Sequence, residues 1–469
     1  RSLAVLQLRC WIAIFGLFVF QECCDGANLT LNIGVCNEIE NYDPFQPLVA
    51  AVFDEVQRSE HPFIEVPYIN DSVTIRYVTR DTACNTEKGQ QAGVEFATPG
   101  DTLANVVFGC SCSSVSAVIA RIGTVLPMPQ ISWISASYSL TKNQDQYKYF
   151  MRTMIPLNNA HYNMCMFPSF FEWPFMKFFH LTYAYGNLFD DDLAFESTSK
   201  CEALGVSLLT YPLEISPIFD TVPAVNGTCD DGLTLSSDGT ECEDYSTWAE
   251  IIEESMQDPT TIYAFYASWS TGVQALHIAA ELGLFRHVWY FGSGGVHYTE
   301  DALGSELWLE IQGQWKPGGT AWTAPDIYLD FLNYWWYNAS IDKYRGIVED
   351  KWLDIMEQHS YPDPADEYFH YDIPNLTLML DALMTIYLAF NKLLGEGWTS
   401  QDMVGQRMYD AMLTTEFDGF SGRILFNQET GDLDESAAET LLMTNLQNGT
   451  WVDVLSIFPN ETGARLEVN

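Results

Sequence analysis

Apolar positions along residues 29–152 follow two different periods. The runs "LTLNIGV" (29–35), "VTIRYVTRDT" (73–82), "NVVFGC" (105–110) and "MPQISWIS" (128–135) are short and rich in β-branched residues, which predicts strands. Between the first two, "FQPLVAAVFDEVQRS" (45–59) reads as a helix. Val115, Val118, Ile119, Ile122, Val125 and Leu126 recur at helical spacing, so a helix is expected to start near Ser113. This βαβαβ order implies a parallel sheet with helices on both faces.

The stretch 169–302 repeats the pattern with more aromatics. "FMKFFHLTYAYG" (175–186) and "EALGVSLLTYPLE" (202–214) read as strand regions bracketing a helix. "TTIYAFYAS" (260–268), a helix over 270–283 and "HVWYFGSGG" (287–295) continue the series. An acidic insertion, "CDDGLTLSSDGTEC" (229–242), reads as a surface hairpin or loop closed by its own cysteines. Its aspartates do not follow EF-hand spacing. "LTLMLDALMTIYLAF" (376–390), interrupted by Asp381, reads as part of a buried core helix over 376–394, and "FDGFSGRILFNQETGD" (417–432) as a turn-strand-turn unit. Two α/β halves joined by crossings predict a two-lobed clamshell. Lobe 1 is expected over 27–152 and 316–416, and lobe 2 over 153–315 and 417–469. Ligands in such sheets bind beyond the carboxyl ends of the strands.

Composition narrows the class. The 469 residues are 47% hydrophobic, enough for substantial cores. The net charge of −42 disfavours nucleic acid and anionic lipid as partners. The 11-residue apolar run "CWIAIFGLFVF" (10–20) has the length of a signal-peptide core, so residues 1–26 are read as a leader. Seven Asn-x-Ser/Thr sequons, at Asn28, Asn70, Asn226, Asn338, Asn375, Asn448 and Asn460, agree with an extracellular glycoprotein. Beyond the leader, eight of the eleven cysteines remain, an even count that favours disulfides.

The turn "GCSCSSVSAV" (109–118) joins the third strand to a helix start. Open N–H groups there, with the hydroxyls of Ser113 and Ser114, suit a carboxylate or another anion. Helix capping by the same serines is the competing account. No nucleophile elbow, zinc-protease motif or second cysteine pair with metal spacing accompanies the turn, so neither an enzyme nor a metal site or cofactor is expected. In a sheet of order 2-1-3 the ends of the first and third strands are neighbours. That placement suggests bridges Cys84–Cys110 and Cys36–Cys112, with Cys165–Cys201 left by elimination and Cys229–Cys242 closing the insertion.

The block "VVFGCSCSSVSAVIARIGTVLPMPQISWISASYSLTKNQDQYKYFMRT" (106–153) resembles the first lobe of the ligand-binding region shared by class C G-protein-coupled receptors, natriuretic peptide receptors and periplasmic amino-acid-binding proteins. The GABA-B receptor-like branch is nearest. "FEWPFMKFFHLTYAYG", "ELGLFRHVWYFGS", "YDIPNLTLMLDALMTIYLAFNKLL" and "FDGFSGRILFNQETGD" extend the likeness over nearly the whole chain after the leader. The resemblance implies a periplasmic-binding-protein type I (venus-flytrap) fold. It implies that the domain closes on a small amino-acid-like or anion-bearing molecule and dimerises through lobe 1 at the outer face of a plasma membrane. Ser113 matches the family serine that holds a ligand α-carboxylate, Tyr185 and Tyr266 match aromatics of the second lobe, and Ser114, Ser135 and Ser293 join the candidate set. Cys84 and Cys110 match the first-lobe disulfide of the branch. Two departures stand out. Ile134 and Ala136 occupy positions where amino-acid binders place small or hydroxyl residues, flanked by Ser135 and Ser137, and Gly294 stands where an acidic anchor for the ligand amine is expected. A solute-binding protein without signalling, or a dimerisation ectodomain that binds nothing, are the alternatives.

Overall fold

The computed structural model describes residues 29–37, 64–154, 165–183, 198–215, 222–223, 234–235, 241–243, 246–257, 262–266, 269–292, 300–318, 373–421, 423–434, 441–448, 450–458 and 465–468. The helix expected over 45–59 lies outside them. Lobe 1 begins with β1 (Leu29–Asn37), β2 (Val73–Asp81), α1 (Thr86–Ala97), β3 (Val106–Phe108), α2 (Ser113–Val125), β4 (Gln130–Ser132), the short α3 (Ser139–Lys142) and β5 (Phe150–Arg152). The five strands are parallel in the order β2-β1-β3-β4-β5, as the 2-1-3 expectation requires.

Alternation along these strands builds two cores. Leu31, Ile33, Val35, Val106, Phe108, Ile131 and Met151 face one side, and Val107 faces the other. There it meets Ala92 and Phe96 of α1 and Val115 and Ile119 of α2. Each of the larger side chains here, fully buried, contributes roughly 1.5–3 kcal/mol. The Asn85 side chain fixes the start of α1 by accepting the N–H groups of Glu87 and Lys88 at 2.8 and 3.0 Å.

Lobe 2 repeats the plan. In chain order it holds β6 (Phe175–Tyr183), β7 (Ser207–Ile215), β8 (Val222–Pro223), β9 (Thr234–Leu235), β10 (Glu241–Glu243), α4 (Ser246–Ser255), β11 (Ile262–Tyr266), α5 (Trp269–Glu281), β12 (Val288–Gly292), α6 (Glu300–Glu310) and β13 (Trp315–Gly318). Strands β7-β6-β11-β12-β13 run parallel and repeat the order of the first sheet. Phe179, Tyr263 and Trp289 stack on one face with residues of α4, α5 and α6, while Phe178 and Ala264 face Cys165 and Cys201 on the other. β9 and β10 pair antiparallel, in agreement with the hairpin reading of the insertion, and β8, which precedes it, joins the other edge of β10.

The chain then returns. Helix α7 (Ile373–Gly395), α8 (Gly405–Leu413), β14 (Glu416–Asp418) and β15 (Arg423–Leu425) cover the first sheet on the side opposite α1 and α2. Residues 378–395 are apolar and long enough to span a membrane by composition, yet most are buried against β1, β3 and β4, so α7 is the core helix expected from 376–394. The expected boundary at 417 shifts. Phe420, Ile424, Phe426 and Leu433 pack in the lobe 1 core, so the turn-strand-turn unit belongs there. Lobe 2 resumes with β16 (Leu441–Gln447), β17 (Thr450–Phe458) and β18 (Arg465–Val468), which extend its sheet through an antiparallel β13–β16 pairing. That pairing also carries lobe 2 through Gly318, past the boundary expected at 315.

Candidate ligand site

Strand β3 ends at Phe108, opposite Val35 of β1, and the chain must then turn up to α2. Gly109 makes the turn with φ +101, and a Cβ there would lie 2.2 Å from the Cys36 carbonyl oxygen, so no other residue fits. Its N–H donates to the Ile131 carbonyl at 2.8 Å, and its own carbonyl accepts from the Gln130 side-chain amide at 2.8 Å. Beneath the turn, the hydroxyls of Ser116, Ser132 and Ser135 lie 3.1, 2.6 and 3.0 Å from the Cys110 carbonyl oxygen. All three serines and Gln130 have no exposed surface. The three hydroxyls and the Gln130 amide nitrogen are bonded within this set, while Gln130 Oε1 has no partner among the described residues, and the shared bonds to the Gly109 and Cys110 carbonyls hold the turn in one conformation.

Two disulfides pin the same turn. Cys36 bonds Cys110 with Cα atoms 4.8 Å apart, and Cys84 bonds Cys112 with Cα atoms 5.6 Å apart. This corrects the expected pairing of Cys84 with Cys110 and Cys36 with Cys112. The register decides it: with Val35 opposite Phe108, Cys36 lies beside the first residues after β3. Cys112, one step further, has already turned towards the start of α1, where Cys84 sits. Cys165–Cys201 forms as expected, with Cα atoms 5.3 Å apart. Cys229 and the Cys242 side chain lie outside the described residues.

The structure places the sequence-derived candidates as follows. Ser113 opens α2, half-buried, and its Oγ accepts the Ser137 N–H at 3.2 Å. Ser114 is exposed beside it. Neither caps the helix, because the N-cap is Cys112 and no side chain makes a capping bond. Ser113 therefore keeps its own hydroxyl proton to donate outward, next to the first N–H groups of α2. Ser135 does not join them at the surface. Its hydroxyl points inside, within 2.8 Å of Ser116 Oγ and 3.2 Å of the Ser111 carbonyl, and Ser137 is buried with its Oγ 2.9 Å from Ser139 Oγ. The part-exposed residues of this stretch are Ile134 and Ala136, so no register shift presents a hydroxyl in their place.

On lobe 2, Tyr266 ends β11 opposite His180 of β6 and Gly292 of β12, at the carboxyl edge of the sheet. Ser293 follows Gly292 directly in sequence. Tyr185, Ser293 and the side chain of Tyr266 lie outside the described residues. Of the sequons, Asn70 and Asn448 are exposed and Asn375 falls within α7, while Asn28, Asn226, Asn338 and Asn460 lie outside the described residues.

One supporting residue escaped the sequence reading. Arg152, with no exposed surface, ends β5 and gathers the site's underside. Its Nε pairs with Asp432 Oδ1 at 2.6 Å, its Nη1 donates to the carbonyls of Ser135 and Ser137 at 2.6 and 2.9 Å, and its Nη2 donates to Thr141 Oγ1. Asp432 comes from the return segment, 280 positions after Arg152, so the 135–141 loop is braced through Arg152 by a distant part of the chain. The sequence signal was an arginine ending the apolar run "YFMR", where an unpaired charge would be costly.

These elements are those of a known class of domain. Residues 65–176 match the model of the receptor family ligand binding region. The match runs from the loop before β2 into the start of β6 and contains the whole Gly109–Ser116 turn. The fold as a whole is that of type I periplasmic binding proteins. It is similar to an ABC transporter substrate-binding protein from Desulfitobacterium hafniense in complex with Leu, with a TM-score of 0.58 at 13% identity, covering 91% of this chain and 100% of that one. No curated protein matches the sequence.

Proposed function

We propose that this chain is the extracellular ligand-binding region of a cell-surface receptor, which closes its two lobes on a small carboxylate-bearing molecule and passes that closure to a paired ectodomain. The observation that carries the reading is the family match centred on a turn whose outward-facing groups are a serine hydroxyl and the N–H end of a 13-residue helix. Three disulfides support an oxidising, extracellular compartment. On this reading the domain binds its ligand without turning it over. Closure stabilises the bound state only by the ligand's differential affinity for closed over open lobes.

The part-exposed Ile134 and Ala136 favour an apolar group beside the carboxylate on the lobe 1 wall. A solute-binding protein is the second reading, favoured by the substrate-binding protein of the same fold. Calorimetry against a panel of small carboxylates, with and without an α-amino group, tests the site. A hydrogen bond to a charged group is worth roughly 1.5–3 kcal/mol, so Ser113→Ala should weaken binding about tenfold or more. An unchanged affinity in the folded Ser113→Ala protein would remove the turn from the site. Ligand-dependent self-association in ultracentrifugation supports the receptor reading over the solute-binding one. Binding with no change in association favours the latter.

A further inference from the structure

The three bridges among the described residues are not equivalent. Cys36, Cys110, Cys165 and Cys201 have no exposed surface. In Cys84–Cys112, by contrast, Cys84 is exposed and Cys112 half-buried. Cys112 is also the N-cap of α2, with no side-chain capping bond and no acidic residue in the first turn, so its sulfur sits at the positive end of a helix. Across the bridge, Ala83 and Cys84 hold φ of +42 and +53, a region that residues with a Cβ rarely adopt. The Ala83 N–H donates to Asp81 Oδ1 at 2.8 Å and the Asn85 N–H to the Thr82 carbonyl at 2.7 Å, and the bridge completes the set that holds this tight conformation.

We infer that Cys84–Cys112 is a thiol-exchange site, modified at Cys84 by low-molecular-weight thiols, whose opening unfastens the starts of α1 and α2. Access directs an external thiolate to Cys84 Sγ. A bond forms between the incoming sulfur and Cys84, the Cys84–Cys112 bond breaks, and its electron pair leaves on Cys112. The N–H groups and dipole of α2 stabilise that thiolate, which makes Cys112 the better leaving group. A second thiol then attacks the mixed disulfide at the external sulfur, releasing the oxidised thiol dimer and the Cys84 thiolate. Two thiols are oxidised and one bridge is reduced. Cys36–Cys110 stays closed in its buried core, so the turn remains on the sheet while Ser113 and the first turn of α2 lose their tie to α1.

The intact chain is incubated with glutathione for graded times, quenched in acid, alkylated and mapped by peptide and fragment-ion mass spectrometry. The expected early product carries glutathione on Cys84 and the alkyl group on Cys112, at least tenfold ahead of any reaction at Cys36, Cys110, Cys165 or Cys201. Hydrogen exchange should rise over 83–90 and 113–116 and stay unchanged over β1 and β3. Glutathione on Cys112, or equal reaction at the buried bridges, would overturn the inference. The Cys84→Ser/Cys112→Ser protein should show the raised exchange of the opened bridge from the outset with no response to glutathione in these segments, and a persisting response there refutes it. The wild-type mapping decides the matter by itself if that variant does not fold.

Discussion

Asp381 sits in the middle of α7 with no exposed surface, surrounded by the apolar residues that pack this helix on the first sheet. Its carboxylate meets the turn between β14 and β15. Oδ1 accepts the Phe420 N–H at 2.6 Å, and Oδ2 accepts the Ser421 N–H at 2.8 Å and the Ser421 hydroxyl at 2.5 Å. Gly419 permits the approach, since a Cβ there would lie 2.4 Å from Oδ1. Burial raises the pKa to about 7 from the ordinary 3.8, and the bonds from Ser421 and Phe420 only partly oppose it. The folded state therefore holds this proton more tightly than the unfolded chain. Stability from this group is fully present below the unfolded value and falls as pH rises, at about 1.4 kcal/mol per pH unit. The loss levels off above the folded value. Over the whole interval it amounts to about 4 kcal/mol.

Asp381→Asn isolates this contribution, because the other carboxylates titrate alike in both proteins and cancel in the difference. The amide keeps one acceptor oxygen but sets an N–H₂ group against one of the turn's donors, so the variant is less stable than the wild type at pH 5. Its deficit should shrink by about 2–3 kcal/mol between pH 5 and pH 7. Denaturant unfolding at a series of pH values, followed by tryptophan fluorescence, measures it. A deficit that is flat with pH, or grows, would refute the reasoning. It would mean that the three donors hold the carboxylate ionised against the cost of burial.

Arg152→Met leaves Asp432 buried without its cation and should cost about 3–5 kcal/mol in denaturant unfolding. The Arg152→Met/Asp432→Leu double variant should recover much of that loss, and no recovery would show that the carbonyl contacts dominate. Cys165→Ser/Cys201→Ser removes a cross-link with a sequence separation of 36, worth about 4 kcal/mol by loop entropy, and should lower the melting temperature without altering ligand affinity. Partial reduction followed by fragment-ion mapping should recover Cys36 with Cys110 and Cys84 with Cys112, and crossed pairs would contradict the β1–β3 register.

The elements with strong local signals were legible in the sequence. The period of Val115 to Leu126 placed α2, and the apolar runs placed β1 to β4 of the first sheet and β6, β7, β11 and β12 of the second, but not β5, β13 or β16 to β18, because burial on one helix stripe or on sheet faces leaves a trace in residue order only where the run is long enough. The bridges show where that stops. The right cysteines were identified, yet Cys110 and Cys112 are two positions apart, and which one faces Cys36 depends on the β1–β3 register and the sharp turn at Gly109. Neither is encoded in spacing. The lobe boundary failed for a related reason. "FDGFSG" has turn chemistry that any surface loop could carry, and what ties it to lobe 1 is long-range: the burial of Phe420 and Ile424 in that core and the bonds to Asp381 on a distant helix.

The serines of the candidate site make the same point about chemistry. Ser113 and Ser135 were equal candidates by residue type, and hydrogen bonding separates them. Ser113 accepts a single N–H from below and keeps its proton for the outside, whereas the Ser135 hydroxyl lies against the Cys110 and Ser111 carbonyls and Ser116 Oγ. The two roles depend on each other. Ser135 and Ser137 hand their carbonyls to Arg152, the Ser137 N–H holds Ser113, and Arg152 is held by Asp432 from the returning chain. Ser113 is thus set by a chain of buried polar contacts that closes only after the polypeptide has left lobe 1 and come back to it. A perturbation at Asp432 should therefore reach ligand affinity through Ser113 although no atom of Asp432 is within the turn. That coupling separates a preorganised binding turn from a serine that is merely exposed.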